Sequence, residues 1–265
     1  MADPKLKQAL KDGEFVVAPG VFDLISALIA DTIEFKALYV TGYGTVASYL
    51  GLPDAGIATY RDMVERIAQM VKRTTRPVIA DADTGYGGLL NVRYTVQGYE
   101  DVGVTAIQIE DQEFPKKCGH TPNRRVTSLD DMLRKIEVAV DSRKSDDFLI
   151  IARTDSRTGL GLDEAIRRGQ AFAKAGADVV FVESPESIEE MRTIAQSIDA
   201  PLFANIVNGG RTPLLSADTL KEMGYAIAIH PAIGFLSAGA ALRKAYADLH
   251  AHGETSADID LYSFT

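Results

Sequence analysis

Eight short runs of apolar and β-branched residues recur along the chain, at 15–18, 37–41, 77–81, 105–110, 148–153, 178–183, 201–206 and 225–230. Most are continuous rather than alternating, the pattern of parallel strands buried on both faces. Between them the period lengthens to that of helices. Residues 57–73 carry Tyr60, Val64, Ile67 and Val71 behind Thr59, and residues 129–140 repeat Met132, Leu133, Ile136 and Val140 behind Ser128. Residues 163–175 place Ala165, Ile166 and Ala173 at helical spacing and stop at Gly176.

Eight strand–helix alternations in 265 residues predict one (β/α)8-barrel domain spanning 1–265. The competing architecture, an open doubly wound sheet, would show a glycine fingerprint after its first strand. Pro19, Gly20, Val21 and Phe22 do not supply G-x-G-x-x-G. No linker, repeat or low-complexity tract divides the chain.

Composition narrows the partners. A formal charge of −9 opposes nucleic-acid binding, which needs a basic surface, yet leaves room for a locally cationic pocket. The apolar runs are too short to cross a bilayer, and the first five residues hold no secretory signal core. The expectation is a cytoplasmic protein with a small-molecule substrate. A single cysteine, Cys118, excludes an internal disulfide and by default reads as a small buried hydrophobe.

Polar groups collect where the predicted strands stop. Thr41 ends strand two, Asp81 and Asp83 follow strand three, and Glu110 and Asp111 follow strand four. Arg153 and Asp155, Glu183, Asn205 and His230 end strands five to eight. Strand ends must meet solvent, but charged residues closing four successive strands exceed that requirement. In a barrel they converge on one mouth. Asp81, Asp83 and Glu110 would repel one another unless a cation sat among them. Hard oxygen donors with few histidines suit Mg2+, or Mn2+, with waters retained. No strand ends in lysine, which disfavours a Schiff base.

Two connections are long, one after strand two and one from Asp111 to Ser128. The second holds Lys116, Lys117, Cys118, Gly119 and His120. Flanking cations favour a thiolate at Cys118, and Gly119 lets the segment bend. Lys116 and Lys117 taken alone read as solvated surface charge.

Asp81-Ala-Asp-Thr-Gly-Tyr-Gly87, Ile109-Glu-Asp-Gln112 and Lys116-Lys-Cys-Gly-His120 together resemble the isocitrate lyase/phosphoenolpyruvate mutase superfamily, over about residues 15–230. The resemblance implies a barrel with its eighth helix exchanged between subunits, and a homotetramer built as a dimer of dimers. It makes Asp81 a direct Mg2+ ligand, with Asp83 and Glu110 acting through water. Thr41, Gly42 and Tyr43 match a segment whose amides grip a carboxylate, Thr41 standing where the family usually has serine. Asp54 falls in the loop that follows. Arg153 would bind the 2-oxo-acid end, with Gly119, Glu183 and Asn205 nearby. Tyr39 becomes a candidate base, Cys118 the acid that protonates a carbanion, and His120 its support.

The Cys118 loop favours C–C over P–C chemistry, because the P–C members of the superfamily lack it. The stretches 111–122 and 205–213 resemble the branch holding 2,3-dimethylmalate lyase, the petal death protein and oxaloacetate hydrolases. Methylisocitrate lyases carry an arginine and a threonine where Leu236 and Val207 stand here, so an alkyl-bearing dicarboxylate is favoured over a tricarboxylate. The expected reaction is Mg2+-dependent cleavage of a 2-alkylmalate to pyruvate and a short carboxylate. Oxaloacetate hydrolysis, methylisocitrate cleavage and P–C chemistry on phosphonopyruvate or phosphoenolpyruvate stand behind it. A phosphate-binding barrel using Asn208, Gly209 and Gly210 is the alternative from another class.

Overall fold

The computed structural model describes residues 2–119, 121–256 and 258–262. Eight parallel strands close into a barrel in sequence order, β1 pairing with both β2 and β8. They are β1 Val16–Val21, β2 Leu38–Val40, β3 Val78–Asp81, β4 Ala106–Glu110, β5 Leu149–Thr154, β6 Val179–Val182, β7 Leu202–Asn205 and β8 Tyr225–His230. Each predicted run overlaps one of them, β1 running three residues and β5 one residue past the predicted end. β2 is shorter than its run because Thr41 leaves the sheet to become the N-cap of a helix.

The helices are α1 Lys5–Lys11, α2 Leu24–Asp31, α3 Gly42–Leu50, α4 Tyr60–Val71, α5 Leu89–Asp101 and α6 Leu129–Ser142. They continue with α7 Ser156–Leu160, α8 Leu162–Lys174, α9 Ile188–Ser197, α10 Ala217–Met223 and α11 Ile233–His252. The long connection after β2 therefore contains a helix of its own, α3. Helix starts follow local chemistry. Thr59 and Asp62 form a capping box on α4, and Ser128 and Ser187 accept from the third helical amide of α6 and α9. Each such cap contributes about 1 kcal/mol.

Alternation along the strands splits the core in two. Tyr39, Ile79, Ala106, Ile151, Phe181, Phe203 and Ile229 point into the barrel, whose lower end is plugged by Leu6 of α1. Their neighbours Val40, Ala80, Ile107, Ile150 and Val180 pack outward against the helices. Both sets are buried, which is why the sequence runs are continuous instead of alternating. Helix α11 is the exception among the helices: none of its 20 residues is buried, and Leu242, Tyr246 and Leu249 are exposed.

Candidate active site

Strand parity places the chemistry. Successive inward positions are two residues apart. Above Tyr39 comes Thr41, above Ile79 comes Asp81, and above Ile151 comes Arg153. Above Phe181 comes Glu183, and above Phe203 comes Asn205. Glu110 stands two positions above Gln108. Of these, Thr41, Asp81, Glu110, Arg153 and Asn205 line a cavity of about 640 Å³ at the carboxyl ends of the strands, as do Cys118, Gly119 and Lys116, while Glu183 stands behind Arg153 and Asn205. Asp111, one residue beyond Glu110, has the opposite parity. It pairs with Arg168 of α8 at 2.8 Å and accepts from the Thr154 hydroxyl at 2.7 Å, so it serves the scaffold.

The acidic floor carries excess charge. Asp81 accepts from the Asp83 amide at 3.0 Å, a contact that holds Asp83 at a φ of 48°. Glu110 accepts from Gln112 at 2.9 Å and lies 3.3 Å from Arg153. Among the described residues, the connected buried cluster holds six carboxylates, Asp54, Asp81, Asp83, Glu110, Asp155 and Glu183. It holds three cations, Lys116, Arg124 and Arg153. Burial first, then neighbouring carboxylates, push Asp83 up to about 6 and Glu110 well above the usual carboxylate range. A divalent cation beside Asp81 would offset most of that excess. No three acidic, cysteine or histidine side chains among the described residues converge closely enough to chelate a metal directly. The donor set fits a hard cation that keeps several waters and touches few carboxylates, as Mg2+ does.

Arg153 sits over the Phe181 ring, 5.1 Å from its centroid, and donates two hydrogen bonds to Asp155 at 2.9 and 2.8 Å. Burial opposes its charge, but Asp155, Glu110 and Glu183 hold its pKa well above the ordinary arginine value. Asn205 donates to Glu183 at 3.1 Å, which fixes its amide orientation and leaves its buried Oδ1 without a hydrogen-bond partner. That acceptor, on a residue lining the cavity, suits a ligand that brings a donor.

The loop after β4 differs from its sequence reading. Lys116 is buried, and its ammonium bridges Asp54 at 2.5 Å and Asp83 at 2.7 Å, tying this loop to the one before α4. Burial alone would lower its pKa; Asp83 and Asp54 hold it well above the usual lysine value. Lys116 is therefore not solvated surface charge. Lys117 is exposed and reaches the Asn123 carbonyl at 3.2 Å. Cys118 is half-buried on the cavity wall. His120 lies outside the described residues.

Gln112 holds the loop in place. Its amide oxygen accepts from the Lys117 amide at 3.0 Å, and its nitrogen donates to the Lys117 carbonyl at 2.8 Å as well as to Glu110. Gly119 packs directly on Arg153 and Glu183, with no room for a Cβ.

Tyr39 lies on the cavity wall as a hydrogen-bond donor. Its hydroxyl donates to Gln108 at 2.9 Å, and burial, with Asp81 next, pushes its pKa well above the ordinary tyrosine value. A phenol in that setting stays protonated near neutrality. Thr41 and Tyr43 line the cavity at the start of α3, where first-turn amides lack intrahelical acceptors. Gly42 is required there because a Cβ would stand 2.5 Å from Asp81 Oδ2.

The roles of Gln108, Gln112 and Arg124 were missed in the sequence. Gln108 had a signal, a polar residue inside the apolar run Ala106–Glu110. Arg124 had none.

A (β/α)8 barrel with an acidic, arginine-bearing mouth and a thiol loop defines a class of enzymes that act beside carboxylates. The chain belongs to the isocitrate lyase/phosphoenolpyruvate mutase superfamily and is a carbon–carbon lyase. The family model described as phosphoenolpyruvate phosphomutase matches residues 6–250. The 2,3-dimethylmalate lyase of Eubacterium barkeri is 49% identical over 227 residues, 86% of this chain and 78% of that protein. The 2-methylisocitrate lyase of Aeropyrum pernix is 42% identical over 230 residues, 87% of this chain and 74% of that one. A crystal structure of 2,3-dimethylmalate lyase superposes with a TM-score of 0.94 at 40% identity, covering 99% of this chain and 89% of that one. Oxaloacetate acetylhydrolase bound to 3,3-difluorooxalacetate gives 0.92 at 38% identity, covering 95% and 87%. Phosphonopyruvate hydrolase with oxalate and Mg2+ gives 0.88 at 29% identity, covering 100% and 93%.

Proposed function

We propose that the enzyme cleaves a 2-alkylmalate, such as 2,3-dimethylmalate, into pyruvate and a short carboxylate, with Mg2+ (or Mn2+) that Asp81 would hold directly and Asp83 and Glu110 through water. The observation that carries this reading is the two-sided cavity. One part of its wall is Asp81, Glu110 and Arg153, from β3 to β5; another is Val207, Ile229, Ala232 and Leu236, from the end of β7 to the start of α11, with Asn205 beside Ile229 where the two meet. A polar side grips the hydroxy-acid end, and the apolar side receives an alkyl group without stranding a charge. Oxaloacetate would leave the apolar side unfilled, and methylisocitrate would bring a third carboxylate to Val207 and Leu236.

When bound, the cation supplies Lewis-acid stabilisation of the oxygens that gain charge as the C2–C3 bond breaks. Arg153, fixed by Asp155 and Phe181, orients the carboxylate of the pyruvate half. The α3 amides from Gly42 receive the other carboxylate. The substrate hydroxyl donates to Asn205 Oδ1 and, as the C2–C3 bond breaks and C=O forms, gives its proton to a carboxylate of the acidic floor, Glu110 being the one on the cavity wall beside Arg153. Tyr39 remains a neutral donor, ordering Gln108 beneath the acidic floor. Cys118 hands its proton to the carbanion that leaves, and the loop over it excludes water. The relatives' names support the lyase chemistry, and the acid excess supports the cation.

Helix α11 supports a further element of the proposal. With no buried residue and an apolar face in solvent, it packs on a neighbouring subunit, as an exchanged eighth helix in a homotetramer does. Light scattering of the purified protein measures this. A substrate panel of 2,3-dimethylmalate, 2-methylmalate, oxaloacetate, methylisocitrate and phosphonopyruvate, with and without Mg2+, tests the reaction. Pyruvate released from the alkylmalates alone supports it; turnover of phosphonopyruvate alone overturns it.

A further inference from the structure

We propose that Arg124 is a positioning residue that ties closure of the Cys118 loop to the setting of Arg153, through a carboxylate both share, Asp155. Arg124 lies six residues beyond Cys118, at the far end of the same loop, and its side chain is fully buried. Its Nη1 donates to Asp155 Oδ1, the oxygen that also accepts from Arg153 Nη2 at 2.8 Å. Its Nη2 donates to the Thr158 hydroxyl at 2.6 Å and reaches Ser184 Oγ at 3.4 Å. The Ser184 hydroxyl shares its one proton between the Glu183 carboxylate at 2.8 Å and the Gly119 carbonyl at 3.2 Å, next to the thiol. One guanidinium thus gathers β5, α7, the end of β6 and the far end of the Cys118 loop around a single acid.

The sharing has an electrostatic consequence. With Arg124 in place, two cations divide the charge of Asp155, and less of it is spent on Arg153. Arg153 then keeps positive potential for an anionic ligand. If the loop lifts, Arg124 leaves and Asp155, buried and accepting only from Arg153 among guanidiniums, claims that charge in full. Loop closure and anion binding at Arg153 therefore favour each other, and the coupling runs equally in both directions. The clasp is also incomplete: Arg124 Nε is buried with no hydrogen-bond partner. That uncompensated desolvation offsets part of the gain and leaves the contact releasable.

Cys118 is the only cysteine, so its alkylation by iodoacetamide reads loop opening directly. The rate is measured on the unliganded protein first, then with Mg2+ and oxalate, for wild type, Arg124→Gln, Arg124→Lys and Thr158→Val. Arg124→Gln is expected to alkylate at least about tenfold faster than wild type, the scale of one lost charge-assisted hydrogen bond. Arg124→Lys, which keeps a charge on Asp155 without the fork, falls between them, and Thr158→Val shifts the same way by less. Arg124→Gln also weakens oxalate binding and its protection of the thiol by a matching factor, while a merely structural residue would lower the melting temperature without linking the two. Unchanged alkylation in the folded variants overturns the proposal, as does weaker oxalate binding with no change in alkylation. If Arg124→Gln does not fold, Arg124→Lys and Thr158→Val decide by the same two criteria. The inference leans on the proposed roles of Arg153 and Cys118, but no arm needs turnover, so failure of the alkylmalate reading remains separable from failure of the coupling.

Discussion

The backbone of Gly119 rests against the guanidinium of Arg153, so closely that a Cβ at residue 119 would overlap Arg153 Nη2 and crowd Glu183. The thiol loop is therefore in contact with the proposed substrate-binding arginine, and glycine is what allows it. Gly119→Ala is expected to fold normally, since the residue is only partly buried, and to lose about a hundredfold in kcat/KM, the effect of an ångström of misplacement. Steady-state kinetics beside a thermal melt separate the two; full activity in the variant would contradict the contact.

Gly42→Ala should divide stability from metal affinity. Gly42 is the first residue of α3, where alanine changes the helix's own stability little, yet its Cβ would stand 2.5 Å from Asp81 Oδ2 and must push the carboxylate aside. The Mg2+ concentration for half-maximal activity is expected to rise about ten- to a hundredfold while the melting temperature holds.

Tyr39→Phe tests the phenol. As a neutral donor to Gln108, the hydroxyl is expected to matter by less than about tenfold in kcat. A loss of about a hundredfold or more would restore it as the base.

Lys116→Met leaves Asp54 and Asp83 facing each other in a buried setting without their cation. Such a break costs about 3–5 kcal/mol. Thermal denaturation should show it, with part of the loss recovered at saturating Mg2+.

The apolar side of the cavity can be turned polar. Val207→Thr with Leu236→Arg adds a hydroxyl and a cation where both residues line the wall. The double variant should gain methylisocitrate cleavage and lose at least about tenfold in kcat/KM on an alkylmalate, the scale of one misfitted alkyl contact. Unchanged selectivity would remove both residues from the specificity argument.

Much of this site was legible because strand periodicity carries it. Asp81, Glu110, Arg153, Glu183 and Asn205 could be assigned to one mouth from the ends of apolar runs alone, and the barrel brings them together. Tyr39 misled: its place beneath the floor is visible in the sequence, but its protonation depends on burial and on Gln108, which only packing reveals. Lys116 misled for the opposite reason. A lysine in a glycine-bearing loop looks solvated until a distant Asp54 is found within reach. Arg124 was silent, since its partners Asp155, Thr158 and Ser184 lie 31 to 60 residues away.

The two adjacent acids at the end of β4 show how narrow the tolerance of such a mouth is. Glu110 looks into the cavity and Asp111 looks out to Arg168, separated by one step of the chain. Deleting a single residue within β4 would exchange their duties, stranding an acid in the wall and bringing the wrong one to the reaction. Each strand thus behaves as a ruler graduated in pairs. A loop can therefore absorb an insertion or a deletion, while a strand tolerates change only by substitution, one rung at a time.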